Sequence, residues 1–186
     1  MTATTTDFAT LTGTYALDTA HSRIGFVARH AMVTKVRGSF NEFEGTATID
    51  GTNPENSAVS VTLKVDSIDT RNAQRDGHLR TNDFLDLENY PEIKFVSTAI
   101  THEGGNDFQV TGDLTIKDVT KSITFPLEFQ GSARDPFGND RIGFEGSTQI
   151  VRSEYGVTYN AALETGGVLV SDKITLEFEI SAIKSA

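Results

Sequence analysis

The chain has 186 residues and a formal net charge of −10, with Lys plus Arg at 16 and Asp plus Glu at 26. The length suits one ordinary domain, and the 37% hydrophobic and 23% charged residues are not typical of a disordered or membrane-spanning chain. The negative charge opposes binding to phosphate backbones, and the lack of cysteine excludes disulfides, thiolate nucleophiles and Cys-based metal centres.

Alternating apolar and polar residues predict strands in the first third of the chain. In the run Arg23–His30, one face carries Ile24, Phe26, Ala28 and His30. A second run ends at Phe40 and a third starts out of phase at Phe43, which predicts a bulge or a sharp bend between them. A turn then leads into another strand, with alternate apolar side chains at Val59, Val61, Leu63 and Val65.

The stretch from Asp69 to Asn89 breaks this period and ends before Pro91. Its mixed spacing predicts one or two short helices or an ordered loop. After it the alternation returns, with turns at Glu103–Asp107 and Asp135–Asn139 between the runs. About eight or nine strands at hairpin spacing predict an all-β fold, either a closed barrel or a sandwich.

The sequence carries no common catalytic or metal-binding motif. It lacks a Gly-x-Ser-x-Gly elbow, a phosphate-binding loop with its Lys, and any His-x-His or His-Glu-x-x-His pair. Asp76 and His78 could form a metal site only with ligands from elsewhere in the chain, so we predict no metal. Asp76 and Arg80 are four residues apart, and the simplest interpretation is a surface ion pair.

The inward faces of the predicted strands are rich in Phe, which occurs 12 times in the chain. An eight-stranded barrel is just wide enough either to fill with side chains or to hold one ligand. The rings alternate with small residues that leave space and favour a cavity, at Gly38, Gly45, Gly112 and Gly146. His30 keeps the inward parity of its strand, so it is either a satisfied core residue or a polar anchor at one end of a cavity.

An ordered series of motifs runs through most of the chain. It comprises His21-Ser22-Arg23-Ile24-Gly25-Phe26, Gly38-Ser39-Phe40-Asn41-Glu42-Phe43, Ile68-Asp69-Thr70-Arg71-Asn72, Arg75-Asp76-Gly77-His78-Leu79-Arg80, Tyr90-Pro91-Glu92-Ile93-Lys94-Phe95 and Gly112-Asp113-Leu114-Thr115-Ile116. Each motif alone is weak, but the order is specific. With this series the chain resembles the YceI-like family of polyisoprenoid-binding proteins over nearly its whole length.

The resemblance implies an extended antiparallel eight-stranded lipocalin-like β-barrel with a short helical insert. It implies an elongated apolar tunnel that holds a long isoprenoid chain or another amphiphile, such as a quinone tail. It implies no established catalytic residues, and it is compatible with a homodimer. Phe84-Leu85 stands where many members have two Phe, which we expect to change the shape of the tunnel slightly.

The residues and the resemblance together predict a flexible tail at 1–13 and a single YceI-like β-barrel domain at 14–186. The predicted tunnel wall consists of Phe26, Phe40, Phe43, Leu79, Phe84, Leu85, Phe95, Leu114, Phe125, Phe129 and Phe144. The predicted polar anchors for a head group are His30, Asp76, His78 and Arg80. Arg80 is the best candidate for a phosphate, because its planar fork pairs with phosphate oxygens.

The sequence therefore predicts a non-catalytic protein that binds or carries a long-chain isoprenoid or a similar amphiphilic lipid. We expect no required cofactor, no nucleic-acid partner and no stable membrane insertion, although an isoprenoid, quinone or fatty-acid-like lipid could co-purify. Many family members carry an export leader, and this sequence does not begin with one, so we expect a cytoplasmic protein.

Two alternatives stay open. The first is a filled barrel that serves as an interaction module. The second is an enzyme acting on an apolar small molecule, with His30 or the Asp76–His78 pair as acid and base.

Overall fold

The structure is a computed structural model that describes residues 6–164 and 166–185. Eleven strands and one α-helix make up most of this part of the chain. The strands are β1 (Gly13–Leu17), β2 (Arg23–His30), β3 (Thr34–Phe40), β4 (Phe43–Ile49), β5 (Ala58–Lys64), β6 (Ile68–Asp69), β7 (Glu92–Gly104), β8 (Asp107–Ile116), β9 (Val119–Arg134), β10 (Asp140–Val151) and β11 (Lys173–Lys184). The helix α1 (Ala73–Leu79) lies between β6 and β7.

β1 and β2 are two pieces of one long strand. Both pair with the same edge of β11, β1 at Ala182–Lys184 and β2 at Thr175–Glu179, while β10 takes the other edge. The break between them is a 3-10 turn at Thr19–His21, which Asp18 caps by accepting a hydrogen bond from the Ala20 amide. The bend lets one stretch of chain contribute to both ends of the barrel.

The next two long strands are broken in the same way. β3 pairs with β2 and β4 pairs with β1, so the chain bends between Phe40 and Phe43. This confirms the bend predicted from the loss of phase at that point. β5 pairs with β4, and after a 3-10 turn at Val65–Ser67 the short β6 pairs with β3.

The strands close into an antiparallel eight-stranded barrel if each broken strand is counted once. The order around the wall is β1–β4–β5–β7–β8–β9–β10–β11, and pairing between β11 and β1 closes the ring. This confirms the predicted all-β, lipocalin-like fold. One face of every strand is turned inward, which is why apolar side chains recur at every second residue.

The insert between β6 and β7 covers part of the wall. β5 pairs with β7 as far as Lys64 and Glu92, but among the described residues β6 is bonded to β3 and not to β7. The predicted helical insert lies here as α1, which begins after Asn72, whose side chain accepts a hydrogen bond from the Arg75 amide. We call the end of the barrel with this insert and the β2–β3 hairpin the insert end. The opposite end, with the β9–β10 turn and the residues before β1, is the amino end.

Part of the predicted N-terminal tail is packed against the amino end. Residues 1–5 lie outside the described residues, but Phe8–Leu11 forms a 3-10 turn capped by Asp7. The Phe8 ring makes edge contacts with the rings of Phe108 and Phe129, each at a centroid distance of 5.4 Å. From Phe8 onward, the segment predicted as a flexible tail thus has ring contacts with the barrel.

The buried apolar side chains form two separate clusters. The cluster at the insert end contains Phe40, Val65, Ile68, Phe84, Ile93, Leu114, Ile116, Ile150, Tyr155 and Val157. The cluster at the amino end contains Tyr15, Ala47, Phe108, Phe129, Ile142 and Ala182. A barrel filled along its axis would give one continuous cluster. The division indicates that the middle of the barrel is not filled.

Candidate functional site

An elongated cavity lies inside the barrel. Its volume is about 330 Å³, within the range of about 300–1,000 Å³ that is typical of small-molecule sites. Along β11 its lining extends from Ile174 to Ala182, which is about 27 Å in an extended strand. The interior is hollow, and this contradicts the filled-barrel alternative.

Almost every residue of the predicted tunnel wall lines this cavity. The predicted residues found there are Phe26, Phe40, Leu79, Phe84, Leu85, Phe95, Leu114, Phe125, Phe129 and Phe144. The wall also contains aliphatic side chains that the prediction left out, among them Ile24, Val59, Val61, Leu63, Ile174 and Leu176. Their inward parity could have identified them, because they alternate in phase with the predicted rings.

Phe43 is the exception among the predicted wall residues. It is 7% exposed and faces Leu63 across β4 and β5, but it does not line the cavity. Phe43 directly follows the bend between β3 and β4, where the inward parity shifts. The periodicity of β4 alone therefore predicted its burial correctly and its place on the cavity wall wrongly.

Phe95 shows how the barrel stays hollow. A Cβ atom at Gly112, on the neighbouring strand β8, would lie 2.4 Å from Phe95 Cζ and 2.6 Å from the Val96 carbonyl oxygen. The ring thus occupies the space over the glycine and lies along the wall. This corrects the expectation that the glycines themselves supply the empty volume. Phe rings occupy the space over Gly38 and Gly112, and Leu side chains lie over Gly45 and Gly146.

His30 lies outside the cavity, so the prediction that it faces inward is wrong. Ala28, two residues earlier on β2, still lines the cavity. His30 is exposed, and its backbone forms an isolated bridge with Val170 in the β10–β11 loop. Here β2 has reached the end of the barrel wall, and the alternation no longer places a side chain in the interior.

Asp76 is buried, but it holds the loop before α1 and does not line the cavity. It is 7% exposed, and its carboxylate accepts hydrogen bonds from the Thr70 amide, at 2.9 Å, and from the Thr70 hydroxyl. Arg75 Nε donates to the same hydroxyl oxygen at 2.7 Å. The predicted polar anchor is therefore used to fix the connection between β6 and α1.

His78 and Arg80 also lie outside the cavity wall. His78 Nε2 is 2.8 Å from Asp83 Oδ2, and its ring packs edge-on against Phe84 at a centroid distance of 5.0 Å. The Arg80 guanidinium donates to the carbonyl of Asp66 and lies 3.5 Å from the carboxylate of that residue. The predicted ion pair between Asp76 and Arg80 is thus replaced by one between Asp66 and Arg80, and none of the four predicted polar anchors lines the cavity.

Arg152 is a buried charged residue of the cavity wall that sequence reasoning missed. It is 6% exposed and lines the insert end, and its guanidinium donates to the carbonyls of Val157, Val170 and Ser171. Burial lowers the pKa of Arg152. It follows Thr148 and Ile150 at alternate positions, so the inward parity of β10 could have identified it.

The Tyr155 hydroxyl, in the same β10–β11 loop as Arg152, is unusual. Tyr155 is 1% exposed, and its hydroxyl has no hydrogen-bond partner among the described residues. Burial raises the pKa of this hydroxyl. The insert end of the core thus combines an apolar cluster with two buried polar side chains.

The cavity is suited to binding an apolar ligand rather than to acid–base chemistry. The predicted acid–base candidates face away from the cavity or are held by other residues, and the wall is almost entirely apolar. Within residues 6–164 and 166–185, no group of three or more His, Asp or Glu side chains is placed to hold a metal ion. No helix in this part of the chain is long and apolar enough to cross a membrane.

Sequence comparison relates the chain to a known family. The model of the YceI-like domain matches residues 15–182. A UPF0312 protein of Pseudomonas putida (strain W619) is 36% identical over 164 residues, which cover 88% of this chain and 82% of the relative.

Comparison with solved structures gives the same architecture. BcnA of Burkholderia cenocepacia superposes with a TM-score of 0.78 at 27% identity, covering 89% of this chain and 98% of BcnA. A polyisoprenoid binding domain from Saccharophagus degradans superposes with a TM-score of 0.69 at 16% identity, covering 92% of this chain and 98% of that domain.

Proposed function

Because the chain belongs to the YceI-like domain family, we propose that it binds a long-chain isoprenoid or a similar amphiphilic lipid inside the barrel and carries it without chemical change. The hollow, apolar interior carries this proposal. A polyprenyl or quinone tail is poorly soluble, and each CH₂-sized unit gains about 0.8 kcal/mol on leaving water. The cavity wall offers such a tail a dry surface that is already formed.

The shape of the cavity favours a chain over a compact ligand. Its lining reaches from Phe8 at the amino end to Val157 and Val170 at the insert end, so a ligand that fills it must be long and narrow. The neighbour from Saccharophagus degradans is a polyisoprenoid binding domain with the same fold. That likeness supports an isoprenoid as the first ligand class to test.

Native mass spectrometry of the purified full chain tests whether a lipid is bound. We expect an additional mass that solvent extraction removes and that added polyprenol or ubiquinone restores. Ligand at about 100 times its Kd stabilises a folded protein by about 2.7 kcal/mol. For a chain of this size, that gain corresponds to a rise in Tm of about 5–10 °C. If the purified protein carries no lipid and neither polyprenol nor ubiquinone changes its Tm, the proposal is overturned.

A pair of matched variants locates the ligand. Ala28 lines the cavity, so Ala28→Phe should fill part of it and lower both the bound mass and the ligand-induced rise in Tm. Ala133 is exposed on β9, so Ala133→Phe adds the same ring outside the barrel and should leave binding unchanged. Equal binding by both variants would place the ligand elsewhere.

The predicted homodimer is part of the same proposal but is independent of the cavity. Analytical ultracentrifugation of the full chain, with and without polyprenol, measures it directly. If the protein is a monomer and still binds lipid, the homodimer prediction is wrong and the proposed carrier function is unaffected.

A further inference from the structure

We propose that the tip of the β2–β3 hairpin is a docking surface for an anionic lipid bilayer. We call it the tip surface, and it consists of Arg29, Met32, Val33, Lys35, Val168 and Lys173. This inference goes beyond ligand binding in the cavity, because it concerns the outside of the barrel and the surface from which a lipid ligand would be collected.

The turn itself is apolar where turn geometry favours other residues. Ala31 and Met32 have left-handed backbones, with φ of 51° and 62°, a conformation that Gly, Asn and Asp adopt most readily in hairpins. Met32 is 63% exposed and Val33 is 75% exposed. Neither the turn geometry nor burial in the core accounts for these apolar side chains.

The neighbouring loop adds to the same apolar surface. Val168 is 41% exposed. The Ala31 amide donates to the Leu169 carbonyl at 2.7 Å, which holds the hairpin and the β10–β11 loop together. A Cβ atom at Gly167 would lie 2.2 Å from Met32 Sδ, so the Met32 side chain rests on this glycine. The exposed apolar side chains therefore form one supported surface.

Three cations form a row beside this apolar surface. Arg29 and Lys35 are direct partners in the pairing of β2 with β3, and both are exposed on the outer face. Lys173 is exposed at the start of β11, beside the same end of β2. Like charges placed opposite each other destabilise a sheet, and none of the ion pairs in the described part of the chain involves these three side chains. An anionic partner would relieve this repulsion.

The charge on this sheet face is separated along the strands. Glu177 and Glu179 lie further along β11 in a groove that also contains Glu128 and Glu145. The chain as a whole has a net charge of −10, so attraction to an anionic membrane requires a local group of cations such as the one at the tip surface. Three exposed carboxylates in the β10–β11 loop, Glu154, Glu164 and Asp172, oppose this attraction.

A bilayer fits both properties of the tip surface at once. Basic side chains lie at the level of anionic head groups, and Met32 and Val33 extend beyond them into the interfacial region. The cavity wall continues to this end, because Ala28 and Val170 line it and flank the hairpin. Docking here would bring the insert end of the barrel against the lipid.

Cosedimentation of the full chain with vesicles tests the proposal. We expect binding to phosphatidylcholine vesicles that contain one third phosphatidylserine, weak binding to pure phosphatidylcholine, and loss of binding when salt rises from about 0.15 M to about 1 M. Each cation near such a surface contributes about 5-fold in affinity. Lys35→Glu and Lys173→Glu should each weaken binding by at least about 5-fold.

Matched variants at the amino end provide the controls. Arg134→Glu makes the same change in net charge on an exposed side chain at the end of β9, and it should leave vesicle binding unchanged. Val33→Ser should weaken binding, whereas Phe137→Ser, at an 88% exposed position in the β9–β10 turn, should not. Failure to bind the anionic vesicles, or equal losses in the tip and control variants, would overturn the docking surface. Ala28→Phe should still bind the anionic vesicles although it loses the ligand. The docking surface and the ligand site are therefore tested independently.

Discussion

The ring of Phe26 covers Gly38 on the adjacent strand. A Cβ atom at residue 38 would lie 2.3 Å from Phe26 Cζ, the tip of the ring. The two residues are direct partners in the pairing of β2 with β3, and both face the interior. The ring therefore takes the place of a side chain on the next strand instead of crossing the axis, and the axis is left open for a ligand.

Gly38→Ala should move the Phe26 ring off the wall and into the cavity. The ring tip can rotate, so we expect a folded protein that loses about 1–3 kcal/mol of unfolding free energy, as in other overpacked cores. The cavity should become smaller, and the ligand-induced rise in Tm should fall. Chemical denaturation gives the first quantity, and thermal melts with and without polyprenol give the second.

Gly112→Ala provides the comparison. Its added methyl group would meet the Val96 carbonyl oxygen at 2.6 Å as well as the Phe95 ring. A backbone atom cannot move aside as a ring can, so this variant should lose more stability than Gly38→Ala. Equal losses in the two variants would mean that the Phe26 ring is not free to move into the cavity.

Gly77→Ala should stabilise the protein by about 0.4–1 kcal/mol. Gly77 lies inside α1, and nothing lies within 4 Å of the position its Cβ would occupy. Alanine is then favoured because it reduces the freedom of the unfolded chain. Gly138 also has open space but has a φ of +85°, so Gly138→Ala should destabilise by about 1 kcal/mol. Urea denaturation of both variants measures the changes in unfolding free energy. Changes of the same sign in the two variants would contradict these backbone assignments.

Most of the fold follows from residue alternation, because a closed barrel turns the same face of each strand inward. The alternation along Ile142–Ile150, for example, predicts a strand that the structure contains as β10. The loss of phase between Phe40 and Phe43 likewise predicts the bend between β3 and β4. Periodicity fails at the ends of strands, since His30 keeps the inward phase but has already passed the end of the wall.

The polar part of the site could not be predicted in the same way. Asp76 and Arg80 stand at helical spacing, but tertiary contacts with Thr70 and Asp66 decide their partners. These contacts join residues on different elements, and spacing along the chain does not report them. The inward parity of β10 could have identified Arg152. However, an arginine is rarely buried unless it is paired, and its carbonyl partners are not visible in the sequence.

Arg152→Met should destabilise the insert end of the barrel. The guanidinium donates to the carbonyls of Val157, Val170 and Ser171, and the variant leaves these carbonyls without this donor. At about 1 kcal/mol per lost hydrogen bond, the loss should be about 3 kcal/mol. Denaturant unfolding measures it, and amide exchange should accelerate in the β10–β11 loop. Arg152→Lys should recover little of the lost unfolding free energy, because one ammonium group cannot reproduce the three hydrogen bonds of the planar guanidinium. If Arg152→Lys is as stable as the wild type, the positive charge alone accounts for the effect.

Arg141 joins three separate parts of the amino end, and its loss should change how stability depends on pH. Arg141 Nη1 is 2.7 Å from Asp18 Oδ2, and Nε is 2.7 Å from Asp135 Oδ2. The hydrogen bond from Arg141 is the main cause that lowers the pKa of Asp18. The Asn139 amide is the main cause that lowers the pKa of Asp135, with Arg141 contributing after it.

A carboxyl group whose pKa is lower in the folded than in the unfolded state stabilises the fold above the unfolded pKa, about 3.9 for Asp. That stabilisation is lost as the pH falls through the lower, native pKa. We therefore expect Arg141→Met to be less stable than the wild type at pH 7 and the gap to narrow below about pH 4. Side-chain carboxyl NMR should show a larger rise in pKa for Asp18 than for Asp135, because Arg141 is the main cause of the lowered pKa at Asp18, whereas the Asn139 amide is the main cause at Asp135. A gap that stays constant from neutral to acid pH would show that Arg141 acts through packing and not through these two carboxylates.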